Sequence, residues 1–301
     1  MWVNKVNFTD EGMIMFSDCL TKYSLNPSHI ISHLEMLDNE LHAEGILQLV
    51  EVITAGSLPV ARLYLGGNPL GPEGATQIAR MLESENCPLR SLGLSRCNLG
   101  TEGAVILLHA LSSNSSLEDI TLTDNSIGEA DKTEVSTFIH KLLQSSPELT
   151  CEPATSDLKW FCNFLKGNNH LEYLRISDNY FTGNGIEILL AFLSVCQSLK
   201  LLWSFNCHIT SHDLRHKGLQ NLEDHLPALF KHEKLEKWRL EDNKIEGDAS
   251  IVFHKLVRSA CPQLKHIFLR GNPIYHSQEA QGFKLENAFK WKVCECRILD
   301  K

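Results

Sequence analysis

One phrase, L-x-x-L-x-L-x-x-N-x-L, recurs along the sequence and restricts the possible folds more than any other feature. Its Asn position, which Cys sometimes takes, falls at Asn39, Asn68, Cys97, Asn125, Asn179, Cys207, Asn243 and Asn272. The steps between these residues are 29, 29 and 28 as far as Asn125, 28 from Asn179 to Cys207, and 29 from Asn243 to Asn272. A fixed period of this length predicts stacked copies of one small structural unit.

Two longer steps interrupt the period. The step of 54 residues after Asn125 leaves room for one degenerate repeat near 146–170, around Leu149, Cys151 and Ala154. The step of 36 residues after Cys207 indicates an insertion near 211–224, and insertions in repeats usually form loops.

The whole chain, 1–301, is expected to form a single domain with repeats over 30–276. At the N-terminal end Val3, Val6 and Phe8 echo the repeat register. Residues 1–29 are therefore either a modified N-terminal cap or a partial repeat from a longer array. Residues 277–301 are expected to form a C-terminal cap, because terminal repeats need a polar outer face.

Each repeat combines two periodicities. The alternation of apolar and polar residues across L-x-L predicts a short strand with one buried face, and segments such as PEGATQIARML and TEGAVILLHAL have helical spacing. Because each helix returns the chain to the same edge, the strands must be parallel, with right-handed crossovers. The predicted fold is an α/β right-handed solenoid, a horseshoe with strands on the concave face and helices on the convex face.

The period, the Asn-or-Cys position and the Glu-Gly pairs that open the helices resemble the ribonuclease-inhibitor-like class of leucine-rich repeats. The resemblance covers nearly all of the chain, with departures at Ala154 and Ser204. It implies that the Asn and Cys side chains are buried and bind turn backbone groups, so they have a structural role. It also implies a binding function, because this class presents an extended concave surface.

Composition narrows the partners and the compartment. A formal net charge of −9 and a pI of about 5.9 argue against binding nucleic acid through its phosphates. No apolar run resembles a signal peptide or a membrane span, so we expect no membrane association and a cytosolic location, or a host cytosol for a bacterial effector. The ten cysteines are expected to stay reduced, and the protein to be a monomer.

The sequence offers few candidates for chemistry. It lacks the phosphate-binding, zinc-hydrolase and C-x-x-C motifs, so we expect no catalytic residues, no cofactor and no metal site. His208, His212 and His216 are spaced by four and would share one face of a helix as metal ligands, but a polar inserted loop is the preferred interpretation. Cys294 and Cys296 form a C-x-C that is assigned to the C-terminal cap rather than to a metal or redox site.

The variable positions of L-x-x-L-x-L point away from the core and are the candidate binding residues. In the first half they are small and mixed, whereas in the second half aromatic residues and arginine predominate, types enriched at interface hot spots. The alternatives are that helix or cap residues cover them, or that Ser204 marks a register slip that turns Trp203 inward. The predicted partner-binding residues are Tyr173, Arg175, Trp203, Phe205, Arg239, His266, Phe268 and Arg270.

The leading functional prediction is a non-enzymatic module that binds a protein partner on its concave face. It would act as an immune-sensor domain, as in NOD-like receptors, or as a stand-alone bacterial effector. The alternative is a regulator of an enzyme, as the resemblance to ribonuclease inhibitor and the Ran GTPase-activating protein implies. Those regulators are expected to act through acidic or polar loops, which the second half of this chain fits less well.

Overall fold

The computed structural model describes residues 1–22, 31–128, 165, 168–181, 189, 193, 196–210, 232–246 and 261–273. In these segments the helices are α1 Asp10–Lys22, α2 Ala43–Thr54, α3 Gly71–Glu83 and α4 Gly100–Ser113. The strands, each of three residues, are β1 His33–Glu35, β2 Arg62–Tyr64, β3 Ser91–Gly93, β4 Asp119–Thr121, β5 Tyr173–Arg175, β6 Leu201–Trp203, β7 Lys237–Arg239 and β8 His266–Phe268. Helix and strand alternate from α1 to β4, as the repeat predicts.

The eight strands form one parallel sheet in sequence order, from β1 to β8. Their middle residues are paired from strand to strand without a shift: Leu34, Leu63, Leu92, Ile120, Leu174, Leu202, Trp238 and Ile267. The helices pack in the same order, α1 on α2, α2 on α3 and α3 on α4. The predicted α/β repeat solenoid is confirmed.

The stack is continuous across the longest gap in the period. β4 pairs directly with β5, with Asp119 opposite Tyr173. Asn179 Oδ1 accepts hydrogen bonds from the backbone N–H groups of Asn125 and Ile127, at 3.1 and 3.0 Å. The expected degenerate repeat therefore inserts no strand between β4 and β5. Three predicted features lie wholly or mainly outside the described residues: the degenerate repeat near 146–170, the insertion near 211–224 and the cap at 277–301.

At the N-terminal end, residues 1–22 extend the same arrangement. Trp2 forms a parallel bridge with Glu35 of β1, and Asn39 Nδ2 donates to the Val3 carbonyl at 2.5 Å. α1 then packs on α2. The segment thus has the strand position and the helix of a repeat, a geometry shared by both interpretations of 1–29, cap or partial repeat.

The core lies between the sheet and the helices. In β1, β4, β5 and β6 the middle residue is buried while its neighbours are partly exposed, as expected for a pleated strand with one covered face. Burying each leucine or isoleucine contributes about 1.5–3 kcal/mol. The glycines of the Glu-Gly pairs allow close packing, because a Cβ on Gly74 would lie 2.7 Å from Leu70 Cβ and one on Gly103 would lie 3.2 Å from Ala75 Cβ.

The Asn and Cys positions form a buried ladder along the turns that follow the strands. Asn68 is typical: its Oδ1 accepts from Leu41 N–H at 3.2 Å, and its Nδ2 donates to Met36 O at 2.8 Å and Leu65 O at 2.7 Å. Cys97 retains only the donor function, with Sγ 3.4 Å from Leu65 O. Each ladder side chain therefore connects the turn of its own repeat to the preceding repeat, as the resemblance implies.

The residue before each ladder position has a positive φ, between 48° and 77°. This left-handed conformation favours glycine, aspartate and asparagine, which explains most of the residue types found there. The residues are Asp38, Gly67, Arg96, Asp124, Asp178, Asn206, Asp242 and Gly271. Arg96 is the exception, and its guanidinium donates to Asp38 Oδ1 at 2.7 Å. The preference for these residue types is a second sequence signal of the turn, which the leucine spacing does not include.

A second ladder lies where the chain enters the strands. Asn168 Oδ1 accepts from Leu171 N–H at 2.9 Å, and its Nδ2 donates to Leu111 O at 2.7 Å. His232 reproduces both bonds with a ring: Nδ1 accepts from Leu235 N–H at 3.1 Å, and Nε2 lies 3.0 Å from Cys196 O. These contacts require a neutral imidazole with its hydrogen on Nε2, because a protonated Nδ1 cannot accept.

His232 makes the stability of the fold sensitive to acid. Burial lowers the pKa of its imidazole below the ordinary value, while the bond to the Cys196 carbonyl opposes this shift. Since the pKa is lower in the folded state, the contribution is complete above about pH 6.5 and is lost as the pH falls. We expect His232→Asn to lose less of its free energy of unfolding than wild type between pH 7.5 and pH 5, measured by urea denaturation.

The control is His170→Asn, the same change at an exposed side chain. Because His232 is intact in this control, His170→Asn should keep the acid-dependent loss that His232→Asn reduces. Equal acid sensitivity of wild type and His232→Asn would show that the His232 imidazole does not need to be neutral in the folded protein.

Candidate functional site

Four predicted binding residues, Arg175, Trp203, Arg239 and Phe268, form one row on the sheet. They are the third residues of β5 to β8, and the strand register pairs each with the next. All four are half-buried, on the face opposite the buried middle residues. We call this face the open face, and these four residues the arginine–aromatic row.

The row is held together by stacking of guanidinium groups on aromatic rings. Cζ of Arg175 and Cζ of Arg239 each lie 5.0 Å from the ring centroid of Trp203, which is thus in contact with both arginines. Arg239 also lies over Phe205 at 4.9 Å and over Phe268 at 5.8 Å. Such contacts contribute about 0.5–1 kcal/mol each when exposed and more when water is excluded.

Both arginines of the row are paired with carboxylates. Arg175 Nη1 forms an ion pair with Asp119 of β4, and both side chains are about three-quarters buried. Arg239 makes a two-point contact with Glu241, with Nη2 at 2.8 Å and Nε at 3.0 Å from Oε1. The Glu241 side chain is 9% exposed. The carboxylates fix the guanidinium planes and neutralise their charge.

The other predicted binding residues lie around the row. The rings of His266 and Phe268 stack with centroids 6.0 Å apart, and Phe205 contacts Arg239 as above. Tyr173 is half-buried at the first position of β5, and Arg270 is exposed two residues beyond β8. Within the described part of the chain, the buried Trp203 Nε1 and His266 Nδ1 have no hydrogen-bond partner.

The geometry answers the question of a register slip at Ser204. Trp203 is aligned with Arg175 and Arg239 and is half-buried, so its side chain lies on the open face. Ser204 is fully buried in place of the usual leucine, and the Trp238 Nε1–H donates to its Oγ at 3.3 Å. The small Ser204 leaves room for the large Trp238 of the adjacent strand. The serine at this leucine position is therefore explained by the tryptophan at the neighbouring leucine position.

A polar network that was not predicted from the sequence connects the first half of the open face to the row. Tyr64 Oη lies 3.0 Å from Ser91 Oγ, which donates to Asp119 at 3.4 Å, and Asp119 pairs with Arg175. The Tyr64 ring reaches Ser91 across Gly93, where a Cβ would lie 2.4 Å from ring atom Cδ1. A glycine at the third strand position, beside a tyrosine one repeat earlier, was the available signal.

The alternatives for chemistry involve residues that lie mostly outside the described part of the chain. Among the described residues, no group of three or more His, Cys, Asp or Glu side chains could hold a metal ion. The His208 ring stacks on Tyr180 at 5.1 Å, while His212, His216, Cys294 and Cys296 lie outside the described residues. Burial raises the pKa of the Cys97, Cys196, Cys207 and Cys261 thiols to about 12, so these thiols are poor nucleophiles.

A segment that crosses a bilayer as a helix must be long and apolar. Among the described helices, none is both long enough and apolar enough to do so.

Comparison with known proteins agrees with the repeat. A family model described as "Leucine Rich repeat" matches residues 85–107 and 167–189. Together with the parallel sheet and the buried ladder, this match shows that the chain contains leucine-rich repeats. The finer ribonuclease-inhibitor-like class remains a prediction.

Two further comparisons concern whole chains. A search of curated proteins gave no match. Among solved structures, the chain is similar to the crystal structure of a TLR13–ssRNA13 complex, at 18% sequence identity and a TM-score of 0.47. That similarity covers 90% of this chain and 29% of the other, so the present chain spans less than a third of that protein's length.

Proposed function

We propose that the chain is a non-enzymatic protein-interaction module that binds a protein partner on the open face of β5 to β8. The binding residues are Tyr173, Arg175, Trp203, Phe205, Arg239, His266, Phe268 and Arg270. The observation that carries the proposal is the arginine–aromatic row, in which stacked side chains on the face opposite the middle strand residues are held by the half-buried Asp119 and the buried Glu241. Tryptophan and arginine are the residue types most enriched at interface hot spots.

Rigidity is the physical reason to favour binding. Ordering a free side chain at an interface costs about 0.5–1.5 kcal/mol, and the stacked and paired residues of the row have already lost that freedom. Binding can then use the apolar area of Trp203, Phe205 and Phe268 without this cost. The core of the repeat does not require such large side chains, since Gly93 and Thr121 occupy the same position in β3 and β4.

The proposed setting is a cytosol, with the protein as a monomer. All six described cysteines are free thiols, which suits a reducing compartment. Within it, an immune-sensor domain or a stand-alone effector is the proposed role. The runner-up, a regulator of an enzyme, is favoured by one observation, the acidic turn residues Asp124, Asp178 and Asp242 beside the sheet. Regulation would require that the captured partner is an enzyme and that the chain changes its rate.

The double variant Trp203→Ala with Phe268→Ala tests the proposal. Immobilised wild type and variant are incubated with the same cell lysate, and the retained proteins are quantified by mass spectrometry. We expect a defined partner to be depleted at least about thirtyfold with the variant, since losing an aromatic anchor commonly costs about 2 kcal/mol. The melting temperature should fall only by the loss of the stacking contacts with Arg175 and Arg239, because neither aromatic side chain is part of the buried core.

The matched control is Met15→Ala on α1, which removes a side chain that is 70% exposed on a distant helix. It should retain the partner fully. Retention of every wild-type partner by the double variant would place binding elsewhere on the chain.

A further inference from the structure

We propose that the open face of β5 to β8 binds an extended acidic peptide segment, in which two carboxylates engage Lys237 and Arg270 and an apolar side chain packs on Phe268. This inference deepens the proposed function and rests on it. It follows from a difference between two kinds of cation on this face, those that the protein itself has neutralised and those that it has not.

Most cations near the row are already paired. Arg175 and Arg239 are bound by Asp119 and Glu241. In the residues just before the strands, Lys200 Nζ lies 2.6 Å from Glu172 and Lys265 Nζ lies 2.9 Å from Glu236. A partner carboxylate could use these cations only by displacing an internal carboxylate, which would leave that group without its partner.

Lys237 and Arg270 differ from these cations. Both are exposed, and neither forms an ion pair with any carboxylate in the described part of the chain. Lys237 opens β7 and is opposite His266, whereas Arg270 follows the end of β8. The two cations thus flank the contact between Arg239 and Phe268 from opposite ends of the strands, on the order of 10 Å apart at the rise of a β-strand.

This arrangement selects a peptide with separated negative charges. In an extended segment, acidic residues three or four positions apart span about the same distance as the two cations. The side chains between the acidic residues would lie over Phe268, which supplies apolar area between the two cations. A basic segment would be repelled at both ends.

The charges near the row also disfavour single-stranded nucleic acid, although aromatic rings and arginine would suit its bases. The exposed carboxylate of Asp242 and the half-buried one of Asp178 lie at the turns after β7 and β5. A phosphate backbone carries a charge at every nucleotide and would meet these carboxylates. A peptide needs only two negative charges and can place uncharged residues next to Asp178, so it meets less repulsion than a phosphate backbone, although Asp242 lies beside Arg270.

The test is selection from a phage-displayed library of random twelve-residue peptides on the immobilised full chain. We expect enriched peptides with Asp or Glu on both sides of an aromatic or aliphatic residue, and binding that weakens with salt. The charge-reversed variant Lys237→Glu with Arg270→Glu should lower the affinity of these peptides by roughly tenfold to a hundredfold, since attraction becomes repulsion. Selection on that variant should instead enrich Lys and Arg.

Arg62→Glu is the matched control, because Arg62 is exposed at the first position of β2 and its reversal makes the same kind of charge change far from the row. It should leave peptide affinity within about twofold. Enriched peptides that carry no acidic preference, or that bind the charge-reversed variant as well as wild type, would overturn the inference. So would failure to enrich any peptide.

Two further readouts separate the possible failures. Selected peptides that lack acidic residues but lose binding to Trp203→Ala would leave the proposed function intact and reject only the acidic partner. Selected peptides that bind Trp203→Ala with Phe268→Ala normally would reject the proposed function itself. A labelled single-stranded RNA of mixed sequence that binds wild type more tightly than the peptides do, and is lost on charge reversal, would replace the peptide by nucleic acid.

Discussion

Replacing Asn125 by alanine is expected to lower the free energy of unfolding by about 3 kcal/mol or more. Its Oδ1 accepts from Cys97 N–H at 2.9 Å and Leu99 N–H at 3.3 Å, and its Nδ2 donates to Leu94 O at 2.7 Å. The alanine variant leaves both N–H groups buried without an acceptor. An unsatisfied buried group costs about 1–3 kcal/mol.

Urea denaturation and amide hydrogen exchange measure this effect together. Because each repeat contacts mainly its neighbours, loss of protection should concentrate at Cys97 and Leu99 before it spreads along the array. Asn169→Ala removes the same side chain from an exposed position and should change stability by less than about 0.5 kcal/mol. A loss below about 1 kcal/mol in Asn125→Ala would show that the ladder bonds contribute little to the stability of the stack.

Asn125→Cys provides a graded comparison, because the chain itself uses cysteine in the ladder. Cys207 Sγ lies 3.2 Å from Ile176 O, so a thiol preserves a donor contact to the preceding repeat. It does not replace the amide oxygen as an acceptor. The cysteine variant should therefore be more stable than the alanine variant and less stable than wild type.

The strand positions and the row could be predicted from the sequence because both follow from the repeat alone. The leucine spacing locates the middle residue of every described strand, and the side-chain period of two then assigns Arg175, Trp203, Arg239 and Phe268 to one face. Equal positions in successive parallel strands must lie side by side. These inferences use only local periodicity, which a repeat protein displays many times.

The ion pair between Asp119 and Arg175 could not be predicted in the same way. The two residues are 56 positions apart, and they become neighbours only because β4 pairs directly with β5. The sequence suggested a degenerate repeat between them, which would have separated these strands. Which long-range pairs form depends on which strands are adjacent in the sheet. The repeat period does not predict this where the repeat pattern is lost.

Glu241 was missed for a different reason. It follows the buried Leu240 at a position expected to lie in a turn, so its contact with Arg239 depends on side-chain conformation. Likewise, the sequence does not indicate that His232 is equivalent to Asn168, because the residue types differ. The two ring nitrogens of His232 nevertheless reproduce the acceptor and the donor of Asn168. A search for a repeated residue type does not detect a different residue that makes the same hydrogen bonds.

The exchange of Ser204 and Trp238 predicts strong coupling between two core positions. Trp238, 2% exposed, takes a leucine position of β7, and Ser204, fully buried, takes a leucine position after β6. Trp238→Leu alone should leave a cavity beside the small serine and lose about 3 kcal/mol of stability. Ser204→Leu alone should clash with the indole and lose about 1–3 kcal/mol.

The double variant restores the repeat pattern at both positions and should lose much less stability than the sum of the two single losses. We expect a coupling free energy of about 2 kcal/mol or more, measured by denaturation of all four proteins. Additive losses would mean that the two side chains do not share one space, and that the serine needs another explanation.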